Sequence, residues 1–393
     1  MEGFFKSIPP FAPDYSGACA AVIGLGGLTV IHNTGGCSGA YIASDEPRLY
    51  GSRILCYSSD LKQMDAIMGN DDVTIDKIVN TAEYTKPPFI AIASTPVPTI
   101  IGTDMEAMAM QVEQRTGIPS IFCPSTGIKY YDEGISNTLL SLAKHFLSET
   151  SEKIPKSVNL LGATPLDIGM TDNIKGIQDI FEQGGFTVVS TWSMNSSIED
   201  IKKASGASIN IVLSYGGFKT AVYMQKKYGI PYCVGIPYGL KGTEVLIDNI
   251  EAIITNKNCK YGMKKDGAKL SDKVLIIGEQ VNSDSMRRCL NEDFGYEFVD
   301  IASFFGMDKN IFQENDIRLK NEEHLSDIMN SGKYKIIMGD PLYKDLLNRD
   351  VIYINIPHMA VSSFLYAKDY IDISGYRANE WLKTKILSRK GEY

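Results

Sequence analysis

Seven cysteines stand at positions 19, 37, 56, 123, 233, 259 and 289, and four histidines at 32, 145, 324 and 358. No Cys-x-x-Cys pair occurs, and the histidines share no metal-ligand spacing. An odd number of scattered cysteines reads as reduced thiols rather than a disulfide framework. Any chemistry therefore has to come from where a thiol is placed. Cys37 follows the apolar run Leu28-Thr-Val-Ile-His32 and the turn Asn33-Thr-Gly-Gly36. That order predicts a thiol at the carboxyl end of a buried strand, where open α/β sheets bind their ligands. A thiolate there suits an iron–sulfur cluster or zinc. Cys19 lies upstream, in a Gly- and Ala-rich stretch whose backbone can pack closely. Cys19, Cys37 and Cys56 together would make a zinc site. Cys56 and Cys123, in or after apolar strands, read as core residues. Cys233, Cys259 and Cys289 have no motif around them.

The elements that position these residues alternate as apolar strand, loop and amphipathic helix, which implies parallel sheets in layered α/β domains. Three Rossmann-like domains around a central cleft are expected, over 1–156, 157–258 and 270–393. In the first, strands are predicted at 28–32, 53–57, 89–93 and 118–122, with helices at 73–84, 104–116 and 133–148. A polar linker at 148–156 leads to strands at 157–162, 186–190, 208–213 and 231–235, with helices at 171–183, 198–204, 218–228 and 242–255. After a second linker at 256–269, strands are predicted at 273–278, 296–302, 334–338 and 351–354. Helices there are expected near 282–293, 321–330 and 341–348, and from about Tyr376. Three such domains enclose a cleft, and a small-molecule ligand is expected in it.

The charge balance is −8, which argues against nucleic acid and anionic membranes as partners. The start Met1-Glu-Gly-Phe-Phe-Lys-Ser-Ile-Pro-Pro is not a signal peptide pattern, and no apolar run spans a bilayer. A cytoplasmic protein is expected. No P-loop, His-Glu-x-x-His or Gly-x-Ser-x-Gly motif is present, and Gly24-Leu-Gly26-Gly27 precedes a strand rather than a helix. These absences leave an ATPase, an ordinary hydrolase or an NAD dehydrogenase without support.

Individual polar residues have plainer readings. Asp60 and Asp104 are expected as helix caps, and His32 as a hydrogen-bonded structural histidine. His358, after a last-domain strand, is placed to face the cleft. Gly216-Gly217 before a helix offers either a tight turn or an anion seat.

Several stretches resemble component 1 of the nitrogenase superfamily. They are Thr29-Val-Ile-His-Asn-Thr-Gly-Gly-Cys37, Cys56-Tyr-Ser-Ser-Asp through Gly69, and Ala93-Ser-Thr-Pro-Val-Pro-Thr-Ile-Ile-Gly-Thr-Asp-Met-Glu106. The segment from Val158 to Pro231 is similar to the family's middle domain, and the likeness fades after about residue 280. The resemblance implies a reductase catalytic-component subunit with a [4Fe–4S] cluster at a subunit interface. Cys37 and Cys19 are its candidate ligands. It also implies assembly as a homodimer or a heteromer with a related subunit, electrons from an ATP-hydrolysing iron–sulfur reductase partner, and an organic substrate such as a tetrapyrrole. The sequence departs from the family pattern at Ala12 and Thr95, where cluster cysteines are expected. It departs again at Ser214 and near Ile371, where the dinitrogen-reducing enzymes hold their cofactor. Dinitrogen reduction is therefore not expected. A cluster-free scaffold or carrier that binds a cofactor or metabolite in the cleft is the alternative.

Overall fold

A computed structural model describes residues 5–49, 54–149, 152–255, 270–370, 372 and 374–390. It contains three parallel sheets. The first has β1 (Leu28–His32), β2 (Leu55–Ser58), β3 (Ile90–Ser94) and β4 (Ser120–Cys123), in the order β2-β1-β3-β4. The second has β5 (Ser157–Ala163), β6 (Thr187–Ser193), β7 (Ile209–Val212) and β8 (Tyr232–Val234), in the order β6-β5-β7-β8. The third has β9 (Val274–Ile277), β10 (Val299–Ser303), β11 (Ile317–Arg318), β12 (Ile336–Gly339) and β13 (Ile352–Asn355), in the order β11-β10-β9-β12-β13. Helices cover both faces, so the central strands are buried along their whole length and read as continuous apolar runs.

The α/β class and the three parallel sheets agree with expectation, and strand ends fall within two or three residues of it. Among the described residues six helices escaped it; Gln63–Met68, Pro96–Ile101, Pro165–Ile168 and Met359–Ser362 are too short to show a helical period. Asp14–Val22 is buried at every residue, so it has no polar face and gives no helical period. Gly36–Ser44 starts at the glycines that read as a turn. The expected helix at 341–348 is a tighter 3-10 segment, Pro341–Leu346. The linker 148–156 is pinned where it is described: Ser148 N–H donates to Lys202 O and Ile154 N–H to Gly206 O. The linker 256–269, Cys259 and Ile371 lie outside the described residues.

The tightest joint in the molecule is the crossing of helix Asp14–Val22 on helix Tyr131–Phe146. A Cβ added at Gly17 would sit 1.9 Å from the Tyr131 carbonyl oxygen, and one at Gly134 1.8 Å from that of Asp14. Hydrogen bonds from Asp14 N–H to Lys129 O and from Tyr131 N–H to Ala12 O fix the approach. The Asp14 carboxylate accepts from the N–H groups of Thr126 and Gly127 and from the Thr126 hydroxyl.

A buried ion pair joins the first two domains. Arg48 reaches both oxygens of the fully buried Glu46 and donates to the carbonyls of Ala20 and Ser193. Tyr41 donates to Glu46 as well. One apolar core runs through residues of all three domains, from Ala18 and Tyr131 through Leu161 and Trp192 to Leu275 and Tyr353.

Candidate functional site

In a parallel sheet the carboxyl ends of the strands share one edge, and the loops beyond them meet there. At the edge of the first sheet, Cys37 follows β1 in the first turn of helix Gly36–Ser44 and is half-buried. The Tyr15 hydroxyl lies beside its thiol; burial, then the Cys37 and Asp45 charges, push that hydroxyl well up. Large apolar side chains stand exposed on the neighbouring loops and helices. They are Ile42 beyond β1, Met64, Ile67 and Met68 beyond β2, Ile100 beyond β3, and Ile128 beyond β4.

Cys19 is placed differently. It is fully buried inside helix Asp14–Val22, where burial, then Cys56 and Cys123, raise its thiol well above the ordinary range. Cys56 is half-buried and Cys123 fully buried, and burial pushes each thiol up to about 12. Among the described residues, no three His, Cys, Asp or Glu side chains converge as a metal site. The zinc set of Cys19, Cys37 and Cys56 is therefore not assembled. Tested against a cluster, Cys37 and Cys56 are both half-buried, but among the described residues only Cys37 lies just beyond the carboxyl end of its strand; Cys19 is fully buried within its helix. Ala12 is buried, its amide bonded to Ala360 O. The Thr95 hydroxyl donates to His32 O at 2.8 Å, so it ties two strand ends together.

A second assembly lies where the three sheets' carboxyl ends face one another. Tyr131 comes from beyond β4, Asp167 from beyond β5, Glu279 from beyond β9, Asp340 from beyond β12 and His358 from beyond β13. The Tyr131 hydroxyl donates to Asp167 Oδ1 at 2.5 Å and lies 3.1 Å from His358 Nε2, which is 3.6 Å from the same carboxylate oxygen. Asp340 accepts from the His358 N–H and the Ser362 hydroxyl. Phe305 and Tyr131 meet the imidazole edge-on, at 5.3 Å and 5.7 Å between centroids. Asn282 Nδ2 donates to the Asp167 carbonyl. Glu279 is buried and accepts from the N–H groups of Tyr215, Val281 and Asn282. Burial, then the facing Asp167 carboxylate, push its carboxyl up to about 8. Burial likewise raises Asp132, which accepts from Gly306 N–H, to about 6.

Glu279 gives a pH dependence of known sign. Its carboxyl titrates near 8 in the fold against an ordinary 4.5, so between those values the folded chain holds a proton that the unfolded chain has lost. Stability then falls as pH rises through that window, by at most about 1.4 kcal/mol per pH unit. Glu279→Gln keeps a neutral acceptor and should flatten this slope, measured by urea unfolding at a series of pH values. An unchanged slope would show that Glu279 does not hold the proton.

Other expectations resolve plainly. His358 faces this junction, as its place after a strand suggested. His32 is structural: it is buried, with Nδ1 2.8 Å from the Ser59 hydroxyl, and burial pushes it down to about 4. Asp104 caps its helix by accepting from Ala107 N–H. Asp60 does not; it is exposed, has a positive φ and pairs with Lys62. Ser214 donates to Gly162 O. Gly216 and Gly217 are required by packing, since a Cβ at either would meet Ile135 or the Leu161 carbonyl. Tyr131, Asp167 and Glu279 were missed. The signal for the two acids was there: each follows an apolar strand within a few residues, and neither belongs to an amphipathic period.

Three parallel sheets whose carboxyl ends meet at a polar junction define a class of three-sheet α/β proteins. Known proteins place the chain within it. A profile for the family described as Nitrogenase component 1 type Oxidoreductase matches residues 13–283, and the chain belongs to that family. It is 26% identical over 246 residues to the nitrogenase molybdenum-iron protein alpha chain of Methanosarcina barkeri, covering 56% of this chain and 45% of that one. It is 27% identical over 227 residues to the nitrogenase iron-molybdenum cofactor biosynthesis protein NifE of Clostridium pasteurianum, covering 56% and 48%. The chain thus matches about half the length of these relatives. The solved structure of nitrogenase Cp1 at pH 6.5 superposes with a TM-score of 0.76 at 13% identity, over 99% of this chain and 94% of that one, and shares its fold. Among the described residues, no helix is long and apolar enough to cross a membrane.

Proposed function

We propose that the chain is a catalytic-component-like subunit of a nitrogenase-type reductase, with a [4Fe–4S] cluster at its interface with a related subunit. The observation that carries this reading is Cys37: a half-buried thiol at a strand's carboxyl end, with exposed apolar side chains on the loops and helices beyond strands of the same sheet. Members of this family bind iron–sulfur clusters. A cluster wants four ligands, and Cys37 would take the rest from a second chain, a copy or a relative. Thiolates on a face that docking makes dry would give the bound cluster a low reduction potential, suited to passing electrons onward. This chain's own residues would hold Cys37 at the edge of the first sheet and enclose an organic substrate at the three-domain junction. The electron source is a separate iron–sulfur reductase that hydrolyses ATP, since this chain carries no nucleotide motif.

The apolar ring makes a prediction about assembly. Patches of this kind on folded proteins mark contact surfaces. Ile67→Glu with Ile100→Glu, both exposed in the single chain, should leave the fold intact and abolish association with the partner subunit, read by light scattering after gel filtration. Unchanged association would place the interface elsewhere.

A cluster-free binding protein remains the second reading, favoured by the burial of Cys19 and the structural use of Thr95. Anaerobic co-purification of the chain with its related subunit decides between them. Iron and acid-labile sulfide retained by the assembly support the reductase; their absence from the assembly supports the carrier.

A further inference from the structure

We infer that His358 is the proton-transfer residue of the three-domain junction, with Tyr131 and Asp167 as the residues that position it. Three domains each contribute one member: Tyr131 the first, Asp167 the second and His358 the third. The hydrogen bonds have a fixed direction. The Tyr131 hydroxyl gives its hydrogen to Asp167 Oδ1 at 2.5 Å. The phenol oxygen is then left as an acceptor, and His358 Nε2, 3.1 Å away, must carry a hydrogen toward it. Burial, then Asp167, hold the Tyr131 hydroxyl well above its ordinary range, which keeps that phenol protonated.

The ring has little freedom to turn. Its backbone N–H is held by Asp340, its faces and edges are walled by Phe305 and Tyr131, and its side chain is 11% exposed. Nδ1 makes no hydrogen bond among the described residues and is not sealed among the buried unpartnered atoms. In the neutral ring Nδ1 therefore carries a lone pair that no described residue occupies; after taking a proton from solvent it presents an N–H. The carboxyl groups nearest the ring are Asp167 from the middle domain and Asp340 from its own. The second oxygen of Asp167 is buried without a partner.

The electron source in this step rests on the reductase reading above. Two electrons from the iron–sulfur reductase enter an unsaturated bond of the substrate. The His358 Nδ1–H bond breaks, its proton forms a new bond at one atom of that unsaturated pair, and a second proton comes from water. The products are the saturated bond and a neutral His358, which solvent reprotonates.

The test uses the whole chain labelled with [15N]histidine, whose four imidazoles are few enough to separate by NMR. Neutral His358 is expected as a single tautomer with hydrogen on Nε2. Tyr131→Phe and Asp167→Asn should each convert it to a mixture of both tautomers, while His32 and His145 do not change. In parallel, diethyl pyrocarbonate should acylate His358 in the folded protein and spare the fully buried His32. Hydrogen on Nδ1 in the wild type, a tautomer indifferent to both substitutions, or no acylation at His358 would each overturn the inference. None of these readouts involves iron, so an iron-free assembly counts against the reductase reading and not against the placement of His358.

Discussion

Cys37→Ser chains, purified anaerobically with their partner subunit, should retain no cluster iron. The substitution exchanges sulfur for oxygen in an isosteric side chain. Iron–sulfur clusters are held by thiolates, and a serine hydroxyl is a poor substitute. The fold gives a clean background for this result. Cys37 is half-buried in the first turn of its helix, so the exchange should cost no more than about 0.5 kcal/mol of stability. Loss of iron with an unchanged melting curve would then report on ligation. Cys19→Ala is the matched comparison. Cys19 is fully buried among Ala18, Ala20 and Ala21, so alanine keeps the apolar packing, at the cost of a small cavity. Iron content should survive it as long as the chain folds. Iron retained in Cys37→Ser, or lost in a folded Cys19→Ala, would reverse the assignment of the two thiols.

Gly134→Ala should be the most damaging single methyl group that can be added to the molecule. At 1.8 Å from the Asp14 carbonyl oxygen, and 3.0 Å from the Ala18 nitrogen, the new Cβ would meet backbone rather than a side chain that can move aside. Helix Asp14–Val22 cannot retreat cheaply, because its first residue is tied by Thr126, Gly127 and Lys129. Overpacking of this kind costs about 3 kcal/mol or more, a large share of the total stability of a typical fold. The same crossing positions Tyr15 beside Cys37 and Tyr131 beside His358. Even a chain that still folds should therefore show both sites disturbed. Thermal unfolding within a degree or two of wild type would mean that the two helices can separate freely.

The three sheets were legible because parallel strands are buried on both faces and announce themselves as apolar runs such as Phe89-Ile-Ala-Ile-Ala93. Helix Asp14–Val22 was not, for the same reason inverted: it is buried all round and carries no polar stripe. Cys37 and His358 could be placed because each follows a recognisable strand. Cys19 could be placed in sequence but not in depth; its burial comes from helix Tyr131–Phe146, more than a hundred residues away in the chain, together with β3 and β6. Tyr131, Asp167 and Glu279 show the general limit. The two acids stand out only as polar residues just after apolar strands, and the chemistry of all three exists only because three sheets aim their carboxyl ends at one point.

The measurement that tests the central claim most directly is low-temperature EPR of the dithionite-reduced assembly, with iron and acid-labile sulfide counted on the same anaerobic sample. The reductase reading predicts about four iron atoms per pair of subunits, with a reduced [4Fe–4S] signal that disappears in Cys37→Ser. A colourless, EPR-silent assembly without iron or sulfide, made in cells able to build clusters, would contradict it.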